Sequence, residues 1–157
     1  RFPIAVNGWM KGMKVFVIAV TDVPSAKSAQ VRQLGLMMVS DRYIPLDSLN
    51  EGAFEQKLFE LERSFYKPLR YDSSTHEYLA DFCLTDVSTD NHLPIPVEIW
   101  GMNTLDYQEH RMLKERWYNA NYGETGWLSW DATRTSVDSI ESLLPKKMKS
   151  LYHDMIK

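Results

Sequence analysis

The sequence predicts an α/β (α+β) fold, a mixed central sheet flanked by helices, with an N-terminal β-hairpin extension. Three observations predict it. Two apolar runs, the first rich in β-branched residues, stand close together near the start of the chain. From Ser48 onward the patterning runs helix, three strands, helix, strand, helix. The second of these helices separates two strands, as a crossover does in a mixed sheet covered on both faces. The division expected is 1–45 for the extension, or the end of an upstream domain, and 46–157 for the main domain.

Lys14 to Thr21 reads as a buried strand, Pro24 to Gln30 as a polar loop, and Gln33 to Ser40 as a second strand antiparallel to the first. Asp41 to Asp47 is a connector. A helix is predicted over Ser48 to Phe65. Ser48 and Glu51 have capping-box spacing, and Phe54, Leu58, Leu61 and Phe65 form one apolar stripe. A short strand follows at Lys67–Tyr71, and further strands at Glu77–Val87 and Pro94–Gly101. Pro94 and Pro96 put the first part of the last one at an edge or outside the ladder. A second helix runs from Leu105 to Tyr122 and stops near Gly123. Trp127 to Asp131 is a short strand, and Val137 to Lys157 a terminal helix that Pro145 breaks or kinks.

A chain of 157 residues, 44% hydrophobic and 25% charged, is ordinary for a soluble globular domain with a core of its own. The net charge of −3 provides no global positive field, so any nucleic-acid contact must be a local patch. The single cysteine, Cys83, excludes a disulfide within the chain and favours a reducing, cytoplasmic setting. It is expected as a buried small hydrophobe. No apolar run approaches the roughly 20 residues that span a bilayer, so no membrane contact is expected. No signal peptide is read at the start, and because the first residue is Arg1 the natural protein is expected to extend further on that side.

Two carboxylates stand in apolar strand patterns. Asp81 lies in Leu79-Ala-Asp-Phe-Cys-Leu84, and Glu98 in Pro96-Val-Glu-Ile-Trp-Gly101. A carboxylate in a half-buried strand is costly unless compensated. Alternation puts Asp81 with Cys83 and Thr85, and Glu98 with Trp100. If the two strands pair, the acids converge on one side and suit Mg²⁺ or Mn²⁺. The other reading is that arginine or backbone partners satisfy each acid separately.

The order of elements and these motifs resemble the PD-(D/E)XK nuclease superfamily. The matching residues are Pro68-Leu69, Asp81-Phe82, Glu98, Gly101-Met102, Tyr107, Lys114 and Tyr118, over about Ser48 to Asp131. The whole is similar to bacterial proteins of integrative and conjugative elements. The resemblance implies a restriction-endonuclease-like sheet and metal-dependent DNA hydrolysis, with Asp81, Glu98 and Glu51 as metal ligands and Lys114 as the catalytic cation. It also implies DNA and conjugation or mobile-element proteins as partners. Two departures stand out. Ala80 replaces the usual proline, which is harmless. Trp100 replaces the usual lysine, which leaves that cation to be supplied from the next helix.

Lys114 lies seven residues after Tyr107 and four before Tyr118, on one helical face. It either reaches the carboxylates by its long stem or is solvated beside Arg111 and Arg116. Glu51, with Glu55 as its substitute, completes the metal site or caps its helix, and both roles are compatible because the cap lies at the helix end. Trp100 is either the plug of an inactive site or the wall of an active one. The alternative function is therefore a catalytically inactive nuclease-fold module that binds DNA or protein. His76, His92, His110 and His153 show no zinc-type pairing and read as surface residues. Trp127 and Trp130 read as packing or as a stacking face for a base. Lys146, Lys147 and Lys149 read as a solvated face or a DNA-backbone contact. Asp131 reads as a cap or turn residue.

Overall fold

A computed structural model describes residues 14–69, 77–87 and 94–147. The fold is mixed α+β, with a three-stranded antiparallel sheet and a four-stranded mixed sheet. The chain divides into two compact units, Arg1–Gly52 and Ala53–Lys157.

In the first unit, β1 (Lys14–Ser25) and β2 (Ser28–Val39) form the expected antiparallel hairpin. Both strands are longer than the patterning suggested. The loop expected over 24–30 shrinks to a turn at Ala26 and Lys27, with Ser25 facing Ser28 and their hydroxyls 2.9 Å apart. Pro24 is tolerated because β1 is an edge strand, where a missing N–H leaves no ladder gap. Val20 faces Gln33 while Thr21 faces Val31, so Arg32 is the extra residue of a bulge. The expected connector contains a short third strand, β3 (Pro45–Leu46), beside the end of β2.

The expectation of a buried first strand is overturned. Val17 is 56% and Ile18 72% exposed. β-branched side chains favour the extended backbone whether or not a second layer covers them, so the pattern reported the strand and not its burial.

Helix α1 (Leu49–Glu60) starts as its capping box predicts. The Glu51 N–H donates to Ser48 Oγ at 3.2 Å, and the Glu51 carboxylate accepts from the Asp47 N–H at 3.1 Å. The helix ends five residues before the expected Phe65. Glu62, at φ 52°, takes the left-handed position; its N–H reaches the Phe59 carbonyl, and the Arg63 N–H reaches the Leu58 carbonyl. This is a Schellman stop without the usual glycine, which is why the sequence hid it. Phe54 and Leu58 are buried as the stripe required, whereas Phe65 passes into β4 (Phe65–Tyr66).

The four-stranded sheet has the order β4-β5-β6-β7, with β5 at Phe82–Leu84, β6 at Ile95–Trp100 and β7 at Leu128–Asp131. β4, β5 and β6 pair antiparallel, and β6 with β7 parallel. Helix α2 (Leu105–Tyr122) makes the crossover and stops at Gly123, whose φ of 74° favours glycine. The strand expected over 77–87 is thus confined to three residues. The one expected at 67–71 is replaced by β4; Arg70 and Tyr71 lie outside the described residues. Pro96 faces Cys83, but pairing with β7 begins only at Val97, so the proline sits where β6 has one neighbour. The terminal helix is a 3₁₀ turn at Val137–Ser139 and a short α3 (Ile140–Leu143), ended at Leu144 by the extended backbone required before Pro145. Positions 148–157 lie outside the described residues.

Phe54 fixes one face of this sheet. Its ring lies 5.6 Å from Phe82 and 6.0 Å from Trp130. Burial of each such ring contributes roughly 1.5–3 kcal/mol. The other face carries α2. At the end of the sheet, Arg63 and Asp86 form a buried bidentate pair at 2.7 and 2.9 Å, and the Ser64 N–H adds a third bond to Asp86 at 3.0 Å.

Candidate functional site

β6 carries Glu98 and Trp100 on the face that α2 covers. Glu98 is 1% exposed, and an ionised carboxylate at that depth needs partners. Helix α2 supplies two, one turn apart. Lys114 Nζ donates to Glu98 Oε2 at 2.8 Å, and the Tyr118 hydroxyl donates to Oε1 at 2.7 Å. Lys114 is therefore turned inward, not solvated; its side chain is 18% exposed. Burial first, and then the Glu98 charge, push the Tyr118 phenol far above its ordinary pKa, so it remains a donor.

Asp81 stands just before β5, in a bend, and not within the strand as expected. Its N–H donates to the Val97 carbonyl at 3.1 Å, and its Oδ2 accepts from the Ile99 N–H at 2.7 Å. The side chain thus takes a ladder donor that a main-chain carbonyl would otherwise hold, which ends the strand there. The ladder runs out at Phe82, which pairs with Val97; Asp81 lies just beyond it, its N–H on that same Val97 carbonyl. The charge of Asp81 also acts on the Tyr118 phenol. Both acids therefore act on the same residue of α2, Tyr118.

Trp100 lies under the cations of α2. It is 2% exposed, with Arg111 5.1 Å and Lys114 Nζ 5.9 Å from its ring. Arg111 is held in turn by Glu115, at 2.7 Å, and by Asp131. Asp131 plays the expected turn role through the Thr133 N–H, at 3.0 Å, and hydroxyl, at 2.6 Å, but it also anchors Arg111. The Tyr107 hydroxyl, at 3.4 Å, donates to the Ile99 carbonyl and accepts from the Gly101 N–H. Tyr107, Arg111, Lys114 and Tyr118 thus recur at helical spacing and all serve β6.

Glu51 belongs to the first unit, where its described hydrogen bonds are those of the helix start. Glu55 is buried in α1. Tyr118 as the Glu98 donor and Arg111 as the Trp100 cover were not foreseen; the signal was present in the four-three-four spacing of aromatic and cationic residues. Cys83 is buried as expected, and burial pushes its thiol pKa up. Trp130 packs in the core, and Trp127 stacks on Tyr118 at 5.0 Å. His110 meets Tyr78 edge to face; the other histidines, with Lys149, lie outside the described residues. Lys147 donates to the Glu62 carbonyl at 2.6 Å. Beside Tyr118 opens a cavity of about 230 Å³ walled by Tyr66, Tyr78, Cys83, Trp117 and Tyr122.

Two carboxylates fit a hard divalent ion, which takes one or two such groups and otherwise keeps waters. Glu98 uses two of roughly four acceptor sites of a carboxylate for Lys114 and Tyr118. Among the described residues, no group of three or more His, Cys, Asp and Glu side chains is arranged to hold a metal. Any ion there would rest on Asp81, Glu98, waters and substrate oxygens. Among the described residues, no helix is long and apolar enough to cross a membrane.

A family model described as "Protein of unknown function (DUF1173)" matches residues 2–132, so the chain belongs to that family. No curated protein and no solved structure matches the chain.

Proposed function

We propose that this DUF1173 chain carries a metal-dependent phosphodiester-hydrolysing site of the PD-(D/E)XK type, acting on DNA and centred on Asp81, Glu98 and Lys114. One observation carries the reading. β6 presents a buried glutamate to a lysine of the following helix, while the aspartate before β5 is tied to the same strand at Ile99. The succession of three antiparallel strands, a crossover helix and a parallel fourth strand supports a restriction-endonuclease-like core.

In this reading Asp81 and Glu98 hold Mg²⁺ or Mn²⁺. When bound, that ion polarises a phosphoryl oxygen and acidifies a water. Tyr118 holds the Glu98 carboxylate in one orientation. Lys114 brings the positive charge that Trp100 cannot, and offsets the negative charge that builds on the phosphate oxygens. Glu51, which the resemblance offers as a third ligand, caps its helix, and the reading does not depend on it. The setting that follows is the cytoplasm, with mobile-element proteins as partners.

A second reading is favoured by Trp100, buried where the superfamily places its lysine, and by the internal bonds on both Glu98 oxygens. It makes the domain an inactive module for binding DNA or protein. Linear, nicked and branched DNA, incubated with Mg²⁺ or Mn²⁺, separate the two readings. The nuclease reading expects cleavage that Asp81→Asn abolishes and that Lys114→Met lowers by about 10²–10³, the usual effect of losing one electrostatic stabiliser. Calorimetry should show Mn²⁺ binding lost in Asp81→Asn and tightened in Lys114→Met, because a competing cation is gone. Wild type that neither cuts DNA nor binds Mn²⁺ leaves the module reading.

A further inference from the structure

The outer edge of β1 is unpaired among the described residues, since the first sheet has the order β1-β2-β3. Edges of this length are ordinarily blunted by charge, proline or a covering element. From Val15 to Val20 this one has no charged residue and no proline. Its apolar side chains are exposed on both faces of the ribbon: Phe16, Ile18 and Val20 on one, Val17 on the other. Such a strand is a template for another strand.

We infer that β1 pairs antiparallel with β1 of a second copy of this chain, about a two-fold axis through Ile18. The residues at the ends of the run select both the occupant and the register. With Ile18 opposite Ile18, Phe16 faces Val20, Val17 faces Ala19, and Val15 faces Thr21. Lys14 then faces Asp22, once at each end. Moving the centre to Ala19 sets Phe16 against Asp22 and Lys14 against Pro24; moving it to Val17 sets Lys14 against Val20. Only the Ile18 register joins every apolar residue to another apolar residue or threonine while matching the charges. A two-fold contact demands this self-complementarity. Within its own chain Lys14 meets Asp41 at 2.9 Å, and Asp22 meets Arg32. Each end of the dimer would therefore be a small charge network and not a lone pair.

Sedimentation velocity over a concentration series tests the inference. Wild type should form a dimer that Lys14→Glu or Asp22→Lys weakens at least tenfold in Kd. The double variant Lys14→Glu/Asp22→Lys should recover the dimer. It leaves the contacts to Asp41 and Arg32 broken, so recovery cannot come from within one chain. Oxidation of Ile18→Cys should give a covalent dimer in high yield. Phe16→Cys should not, because its copy lies four residues away along the ladder. Wild type that stays monomeric to millimolar concentration, no recovery in the double variant, or equal cross-linking at 16 and 18 would each overturn the inference.

Discussion

Tyr118→Phe removes one oxygen atom and almost no volume, which makes it the cleanest probe of how Glu98 is kept charged in the core. The hydroxyl donates to Glu98 Oε1 at 2.7 Å, and Lys114 holds only the other oxygen. A hydrogen bond to a charged group contributes about 1.5–3 kcal/mol net, and here water cannot readily replace the donor, because Tyr118 and Glu98 are each 1% exposed. The expected loss is therefore about 1.5–3 kcal/mol, or roughly 3–12 °C in Tm for a chain of this size. Urea denaturation at pH 7 should show a lower midpoint at unchanged slope. The assignment to Glu98 is tested by the cycle Tyr118→Phe, Glu98→Gln and the double variant, for which contacting groups give a coupling of 0.5–3 kcal/mol or so. Coupling below about 0.5 kcal/mol would refute the claim that this hydroxyl serves that carboxylate.

Three further outcomes follow from the structure. The Asp86 carboxyl is pushed up by burial, but Arg63 and the Ser64 N–H outweigh this and hold it below its ordinary value. The stability it confers is complete above its unfolded pKa of about 3.9 and is lost as pH falls through the lower folded value. Asp86→Asn should cost about 3–5 kcal/mol at pH 7 by leaving Arg63 buried without its partner, and acid titration of the variant should lack that component of the decline. Glu62→Gly should stabilise the chain by up to about 1 kcal/mol in thermal melts, since Glu62 is left-handed at φ 52°. Gly126→Ala should lower Tm, because a Cβ there would lie 1.9 Å from the Tyr122 carbonyl oxygen.

Sequence patterning found the elements better than their ends or their surroundings. Helix α2 was legible to the residue, because its stop is a glycine with positive φ. The end of α1 was not, because Glu62 holds a position at which only glycine or asparagine would have announced a stop. Alternation gave β6 its faces and so put Glu98 beside Trp100. It overextended the strand around Asp81, since patterning does not show when a side chain will take a ladder donor. The spacing of Lys114 and Tyr118 displayed one face of a helix, but only the fold decided between solvent and Glu98. The β-branched run of β1 carried no sign of whether a second layer covers it.

Helix α2 both covers the sheet and neutralises it. The groups that Glu98 and Trp100 meet there are on successive turns of one rigid rod. Undocking it would take both donors from Glu98 and both cations from Trp100 at once, so these contacts form and break together.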